Sequence, residues 1–196
     1  MSSKLPSSLI DWSGPSVNYA SDLWSFVRVA LKGQDAIMGT VYMPHKGSAS
    51  RAAEAAVGMS VGAVGGSVDD DPLDRDEGPT RLAVYRKLGK ALESLQSRFP
   101  DALILVGGDF NMVEDKLKEV VARWGVRMTV MSFSGSPLSY HRKGRAVSGI
   151  DHFVVSARHS HLFTKARVDR RWDISDHWPI LCRYNLPVGI EKTVGG

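Results

Sequence analysis

The chain has 196 residues, of which 43% are hydrophobic and 23% charged, and its formal net charge is +4. Those proportions belong to an ordinary globular protein, long enough to bury the core of one domain. The single cysteine, Cys182, excludes an intrachain disulfide and suits a reducing compartment. No apolar window is long enough to cross a bilayer, and Asp11, Asp22 and Arg28 interrupt any secretory core near the start. The expectation is an intracellular protein, nuclear or cytoplasmic, neither secreted nor membrane-bound.

In chain order, residues 1–22 read as an irregular N-terminal segment, and the main domain runs from 23 to 186. LWSFVRVAL (23–31) is rich in β-formers and reads as a strand; KGQD turns it into a hairpin partner, AIMGTVYMP (36–44), closed by Pro44. Residues 46–79 are Gly/Ala/Ser-rich and then acidic, the composition of a flexible loop inserted in the domain. The run DDDPLDRDEG within it lacks EF-hand spacing and reads as a solvated acidic loop.

After Pro79, the residues Tyr85, Leu88, Leu92, Leu95 and Phe99 recur at three- and four-residue steps, one face of a helix that Pro100 stops. LILV (103–106) is a short continuous apolar run, the pattern of a strand covered on both faces. EDKLKEVVARWG (114–125) gives a second amphipathic helix through Leu117, Val120, Val121 and Trp124, with Gly125 expected as its left-handed cap. VRMTVMSF, SGIDHFVVSA and HWPILCRYNL supply further strands, and 187–196 forms a C-terminal tail. Strands and helices alternate without a strict βαβ rhythm, which predicts a mixed sheet or two sheets with helices outside.

Three apolar segments end in, or carry, charges that a purely structural strand avoids: GGDFN (107–111), SGIDH (148–152) and ISDHWPI (174–180). Asp176 before His177 is open to a reading as a local cap. Asp151, flanked by Ile150 and Phe153, needs a partner, and a histidine is the natural one. Between His141 and Trp172 stand eight Lys/Arg (Arg142, Lys143, Arg145, Arg158, Lys165, Arg167, Arg170, Arg171) against Asp151 and Asp169. This stretch is either a solvated basic face or a polyanion-binding surface. His159 and His161 lack nearby cysteines and read as loop residues, and His152 is expected to face solvent or the second sheet. Taken together, carboxylates for a hard cation, an amide for a phosphoryl oxygen, an Asp–His pair and a basic surface form the chemistry of a metal-assisted phosphodiesterase.

VYMP (41–44), GGDFN, SGIDHFVVS (148–156) and SDHWPI (175–180), in this order, resemble the endonuclease/exonuclease/phosphatase superfamily, and most of all the endonuclease domains of non-LTR retroelements. The resemblance runs from about residue 24 to 184. It implies a DNase I-like α/β (α+β) fold, a two-sheet β-sandwich flanked by helices, and Mg²⁺-dependent phosphodiester hydrolysis with Mn²⁺ as a substitute. Nucleic acid, DNA first, is the implied substrate, and fusion to a reverse transcriptase in a longer parent protein is compatible with it. By the same resemblance, Asp109 orients and deprotonates the attacking water, Asn111 holds the phosphoryl oxygen and Asp176 binds the metal. His177 sits against the scissile phosphate with Asp151 as its carboxylate partner, and Tyr42 hydrogen-bonds the phosphate. His45 stands where relatives place a phosphate-contacting Asn, and Tyr140 where they often show Trp. Arg142 and Arg145 join them as substrate-binding candidates, and Trp172 either stacks on a base or holds the site loop.

The family's first strand, with its Asn, and its metal-binding Glu have no counterpart before Leu23. The expectation is a domain truncated at its N-terminus, or one whose missing carboxylate comes from Asp22 or the acids of 69–77. A catalytically inactive nucleic-acid-binding remnant and a phosphomonoesterase on lipid or inositol phosphates are the alternatives to the nuclease.

Overall fold

The computed structural model describes residues 10–11, 19–20, 23–31, 34–45, 79–172 and 174–185. The expected 46–79 insertion, apart from Pro79, lies outside them, as do Asp22, the acids of 69–77 and the 187–196 tail.

β-Branched and aromatic runs form the strands. β3 (Trp24–Leu31) and β4 (Gln34–Tyr42) pair antiparallel over their length, as the hairpin reading expects. Two short strands, β1 (Ile10–Asp11) and β2 (Tyr19–Ala20), pair with the outer edge of β3, so the segment read as irregular contributes to the sheet. α1 (Pro79–Arg98) leads into β5 (Leu103–Asp109), which pairs parallel with β4. α2 (Glu114–Val121) leads into β6 (Met128–Val130). A small ribbon of β7 (Tyr140–Arg142) and β8 (Arg145–Ser148) precedes β9 (Asp151–Ser156), which lies antiparallel between β5 and β6. β10 (Arg167–Val168) and β11 (Ile180–Leu181) form a second ribbon. The main sheet has the order β1-β3-β4-β5-β9-β6, with β2 also on β3.

Side chains alternate across the pleat, so each strand offers one row to each face. On one face Phe26, Ile37, Val41, Ile104, Val106 and Val154 meet Tyr85, Leu88, Leu92 and Leu95 of α1 and Leu117, Val120 and Val121 of α2, forming the main core. On the other, Ala36, Leu103, Leu105 and Val155 pack with Met131, Leu162, Phe163, Cys182 and Tyr184. LILV is thus covered on both sides, as its unbroken apolar run predicts. The second layer of the sandwich is small: two two-stranded ribbons and bridged loops among the described residues.

Two local expectations need correction. Gly125 is not a left-handed cap, since its φ is not positive; α2 ends at Val121 with Ala122 as its right-handed C-cap. A Cβ at Gly125 would lie 2.7 Å from Glu93 Oε1, so close approach of α1 is what glycine allows there. His152 faces neither solvent nor the second layer. It is fully buried on the main-core face with Nε2 2.8 Å from the Met112 carbonyl, between the Phe110 and Phe133 rings. Burial lowers its pKa, which disfavours the charged ring.

Candidate active site

The register of three strands places the site. Tyr42 of β4 pairs with Asp109 of β5, and Asp109 pairs with Asp151 of β9, so the three side chains form one level row on the second-layer face. Only β4 and β5 run parallel; β9 is antiparallel and contributes its first residue to the row. The ladder continues past the strand ends, with Met43 N donating to the Asp109 carbonyl and Phe110 N to that of Ile150. Gly108 permits the closeness: its φ is 143°, and a Cβ there would lie 2.2 Å from the Val41 carbonyl oxygen.

Asn111 follows in the left-handed region, φ 51°, which asparagine tolerates better than most residues. This turn lets its backbone N–H donate to Asp109 Oδ1 at 2.7 Å and its side-chain Nδ2 to Asp109 Oδ2 at 3.0 Å. The same Nδ2 donates to the Met43 carbonyl at 2.6 Å. Both amide protons are therefore engaged, and contact with a phosphoryl oxygen requires exchanging one of these bonds.

His177 reaches the row from the segment that joins β10 to β11. An isolated bridge pairs it with Tyr140, the His141 N–H donates to the Asp176 carbonyl at 2.8 Å, and the Trp178 N–H donates to the Ser139 carbonyl at 2.8 Å. Its Nδ1 lies 2.8 Å from Asp151 Oδ2; a carboxylate only accepts, so Nδ1 carries the proton. Nε2 then faces Asp109 Oδ2 across 3.9 Å, too long for a direct hydrogen bond. Asp151 is buried, and its Oδ2 also accepts from Ser139 Oγ at 2.6 Å, whose oxygen in turn accepts from the Asp151 N–H at 3.3 Å. Tyr140 covers His177 with ring centroids 5.2 Å apart.

Burial pushes the Asp109 carboxyl up from 3.8 to about 6; the Asn111 N–H opposes this, the Asp151 charge adds to it, and His177 and His45 oppose it. A carboxylate so placed is a stronger base than an ordinary aspartate yet largely ionised at neutral pH.

Asp109, Asn111, Asp151 and His177 thus converge. Tyr42, 56% exposed, flanks them, and His45 follows beyond Pro44 in an exposed position. Asp176 is exposed on the same segment as His177. Arg142 and Arg145 are exposed on the β7–β8 hairpin, whose two-residue turn has positive φ at both Lys143 (49°) and Gly144 (73°). Trp172 is exposed, and the aromatic that packs against the site loop is Trp178, stacked on His141 at 4.2 Å with Arg170 over its ring at 5.1 Å. Part of the basic stretch is engaged internally: Arg171 clasps buried Asp169 through Nε at 2.8 Å and Nη2 at 2.5 Å, and Arg158 pairs with Asp101.

Sequence reading missed Ser139, Arg81 and Tyr85. Ser139 is fully buried on Asp151; Arg81, 6% exposed, donates to the Pro44 and Asn111 carbonyls, and the fully buried Tyr85 hydroxyl donates to that of Phe110. Tyr85 appeared only as a member of the apolar stripe. The one available signal was polar atoms at positions the periodicity assigns to the core.

Among the described residues, no three His, Cys, Asp or Glu side chains come together as a metal centre. Mg²⁺ takes six oxygen ligands, partly water and substrate, and the described acids fall short of a protein-built site. Among the same residues no helix is long and apolar enough to cross a membrane.

Many solved structures of endonuclease/exonuclease/phosphatase, or DNase I-like, proteins match this fold. One is the endonuclease domain of TRAS1, a telomere-specific non-LTR retrotransposon, at 13% identity and TM-score 0.54, covering 90% of this chain and 68% of that one. Another is the 3'-5' exonuclease NExo from Neisseria meningitidis, at 15% identity and TM-score 0.50, covering 82% and 64%. A third is truncated TDP2 from Caenorhabditis elegans, at 13% identity and TM-score 0.51, covering 89% and 66%. The chain thus spans about two thirds of the length of these structures. By sequence, no family model and no curated protein matches it. At such identities the likeness establishes the fold.

Proposed function

We propose that this chain hydrolyses phosphodiester bonds in nucleic acid, DNA first, as an endonuclease of the retroelement type. The observation that supports this most is the 3.9 Å gap between Asp109 Oδ2 and His177 Nε2, each held from behind by its own partner. In this reading Asp109 takes the proton of a water that attacks phosphorus, the bond from phosphorus to the leaving oxygen breaks, and the leaving oxygen takes a proton from solvent. His177, oriented by Asp151 at Nδ1, enters this reading as the doubly protonated ring and donates from Nε2–H to a phosphoryl oxygen, and Tyr42 supports the phosphate from the exposed side. The Arg142–Arg145 hairpin lies along the polyanion. Mg²⁺ remains part of the proposal on chemical grounds, since a divalent cation at Asp176 would neutralise the non-bridging oxygens.

Supercoiled plasmid tests the proposal. Nicking is expected in Mg²⁺ or Mn²⁺, absent in EDTA and lost in His177→Ala. A well-folded chain that leaves the plasmid intact with both metals would refute it. One observation favours a second reading, a nucleic-acid-binding protein without turnover: the described acids do not close a metal centre. That reading predicts salt-sensitive binding to the same DNA with no cleavage.

A further inference from the structure

We propose that Arg81 is a positioning residue for the site, setting the turn at Asn111 and through it the aim of the Asp109 carboxylate. The activity arm of the test rests on the phosphodiesterase reading; the structural arm does not.

The guanidinium of a residue only 6% exposed must be held by acceptors, because burying an unsatisfied charge is costly. Two of those it finds are main-chain carbonyls from the two walls of the site. Nε donates to Pro44 at 3.1 Å, on the exit of β4 between Tyr42 and His45, and Nη2 donates to Asn111, on the exit of β5. One turn along the same helix face, the Tyr85 hydroxyl donates to the Phe110 carbonyl, and the guanidinium lies over the Tyr85 ring at 5.8 Å. Consecutive carbonyls of the Phe110–Asn111 turn are thus pinned by consecutive turns of α1.

Those two peptide groups lead into and out of the residue whose φ is 51°. In that conformation its backbone N–H and its side-chain amide both reach Asp109, one to each oxygen. The chain of dependence runs from helix to carbonyl, from carbonyl to turn, and from turn to carboxylate. Arg81 itself bonds to carbonyls of the walls and acts on the reacting groups through Asn111. A fork of donors is needed to span the two walls, which an ammonium does not offer.

The experiment pairs kinetics with NMR on Arg81→Lys, Arg81→Ala and Tyr85→Phe, each first shown to be folded by circular dichroism. A displacement of about 1 Å at the reacting groups costs roughly 100-fold in rate. A kcat loss of that order is therefore expected in both Arg81 variants with little change in KM, and free guanidinium should restore part of it to Arg81→Ala. Guanidinium should restore nothing to His177→Ala. Independently of turnover, the side-chain amide pair of Asn111 should shift toward the free-amide position in every Arg81 variant, and its backbone amide should exchange faster.

Wild-type Asn111 amide signals in a folded Arg81→Lys protein would overturn the inference, as would full kcat in that variant. Should wild type cleave nothing, the functional reading fails and the Asn111 signals alone decide this one. If Arg81→Ala does not fold, Arg81→Lys decides it, and Tyr85→Phe, which frees the Phe110 carbonyl, should shift the same Asn111 signals in the same direction.

Discussion

Asp109→Asn separates the catalytic role proposed for Asp109 from its cost to the fold. Each tenfold change in proton affinity is worth about 1.4 kcal/mol, so a carboxyl moved from 3.8 to about 6 carries on the order of 3 kcal/mol against the ionised folded state. A group whose folded pKa is raised contributes stability that is fully present below 3.8 and lost as pH rises through about 6. At pH 8 the wild type has lost it; asparagine never ionises and escapes that loss. Asparagine also turns an NH₂ toward the Asn111 amide in place of an acceptor, and a lost hydrogen bond of this kind costs about 1 kcal/mol. The net expectation is a gain of roughly 2 kcal/mol at pH 8, a rise in melting temperature of about 4–8 °C for a chain of this size. Below pH 4 the gain should vanish and leave the variant about 1 kcal/mol less stable. Urea melts across pH 3.5–8.5 measure this, with plasmid nicking in parallel, where the same variant should be silent. A variant destabilised at pH 8, or stabilised equally at pH 4 and pH 8, would refute the assignment of a strained carboxylate.

The remaining predictions concern the partners. Wild-type nicking should rise with pH through about 6 as Asp109 ionises, a limb that a rate–pH profile should show. Ser139→Ala leaves Asp151 with one partner fewer and should lower the rate roughly 10- to 100-fold, as removal of a supporting hydrogen bond does elsewhere. Gly108→Ala meets the Val41 carbonyl at 2.2 Å in a backbone conformation that L residues rarely adopt, and chemical denaturation should show a loss of at least about 2 kcal/mol. Arg142→Ala with Arg145→Ala should weaken duplex binding and reduce the slope of log affinity against log salt by about 2, read by fluorescence anisotropy.

Local pattern made much of this legible. The apolar run of LILV announced a strand buried on both faces, and the stripe through Tyr85, Leu88, Leu92 and Leu95 announced α1. Asp109, Asn111, Asp151 and His177 stood out because charge at strand ends is costly without a use, and the fold brings all four together. What escaped notice depends on partners distant in sequence. Ser139 looks like a loop serine until Asp151 folds over it, and Arg81 looks like a solvated helix residue until the carbonyls of Pro44 and Asn111 reach it. Composition also could not apportion the basic stretch: the eye counts Arg158 and Arg171 with the polyanion surface, whereas Asp101 and Asp169 hold them. The direction of β9 was equally hidden, since periodicity is the same for parallel and antiparallel pairing.

The level row of Tyr42, Asp109 and Asp151 makes the site a gauge of strand alignment. Slip β9 by one residue along β5 and Ile150 or His152 takes the place of Asp151, while every side chain of β9 moves to the opposite face. No partial slip is available to a pleated ladder, so the constellation exists whole or not at all. Chemistry at this strand end would therefore switch on only when sheet closure is complete, and a half-formed sheet would stay silent however compact it became.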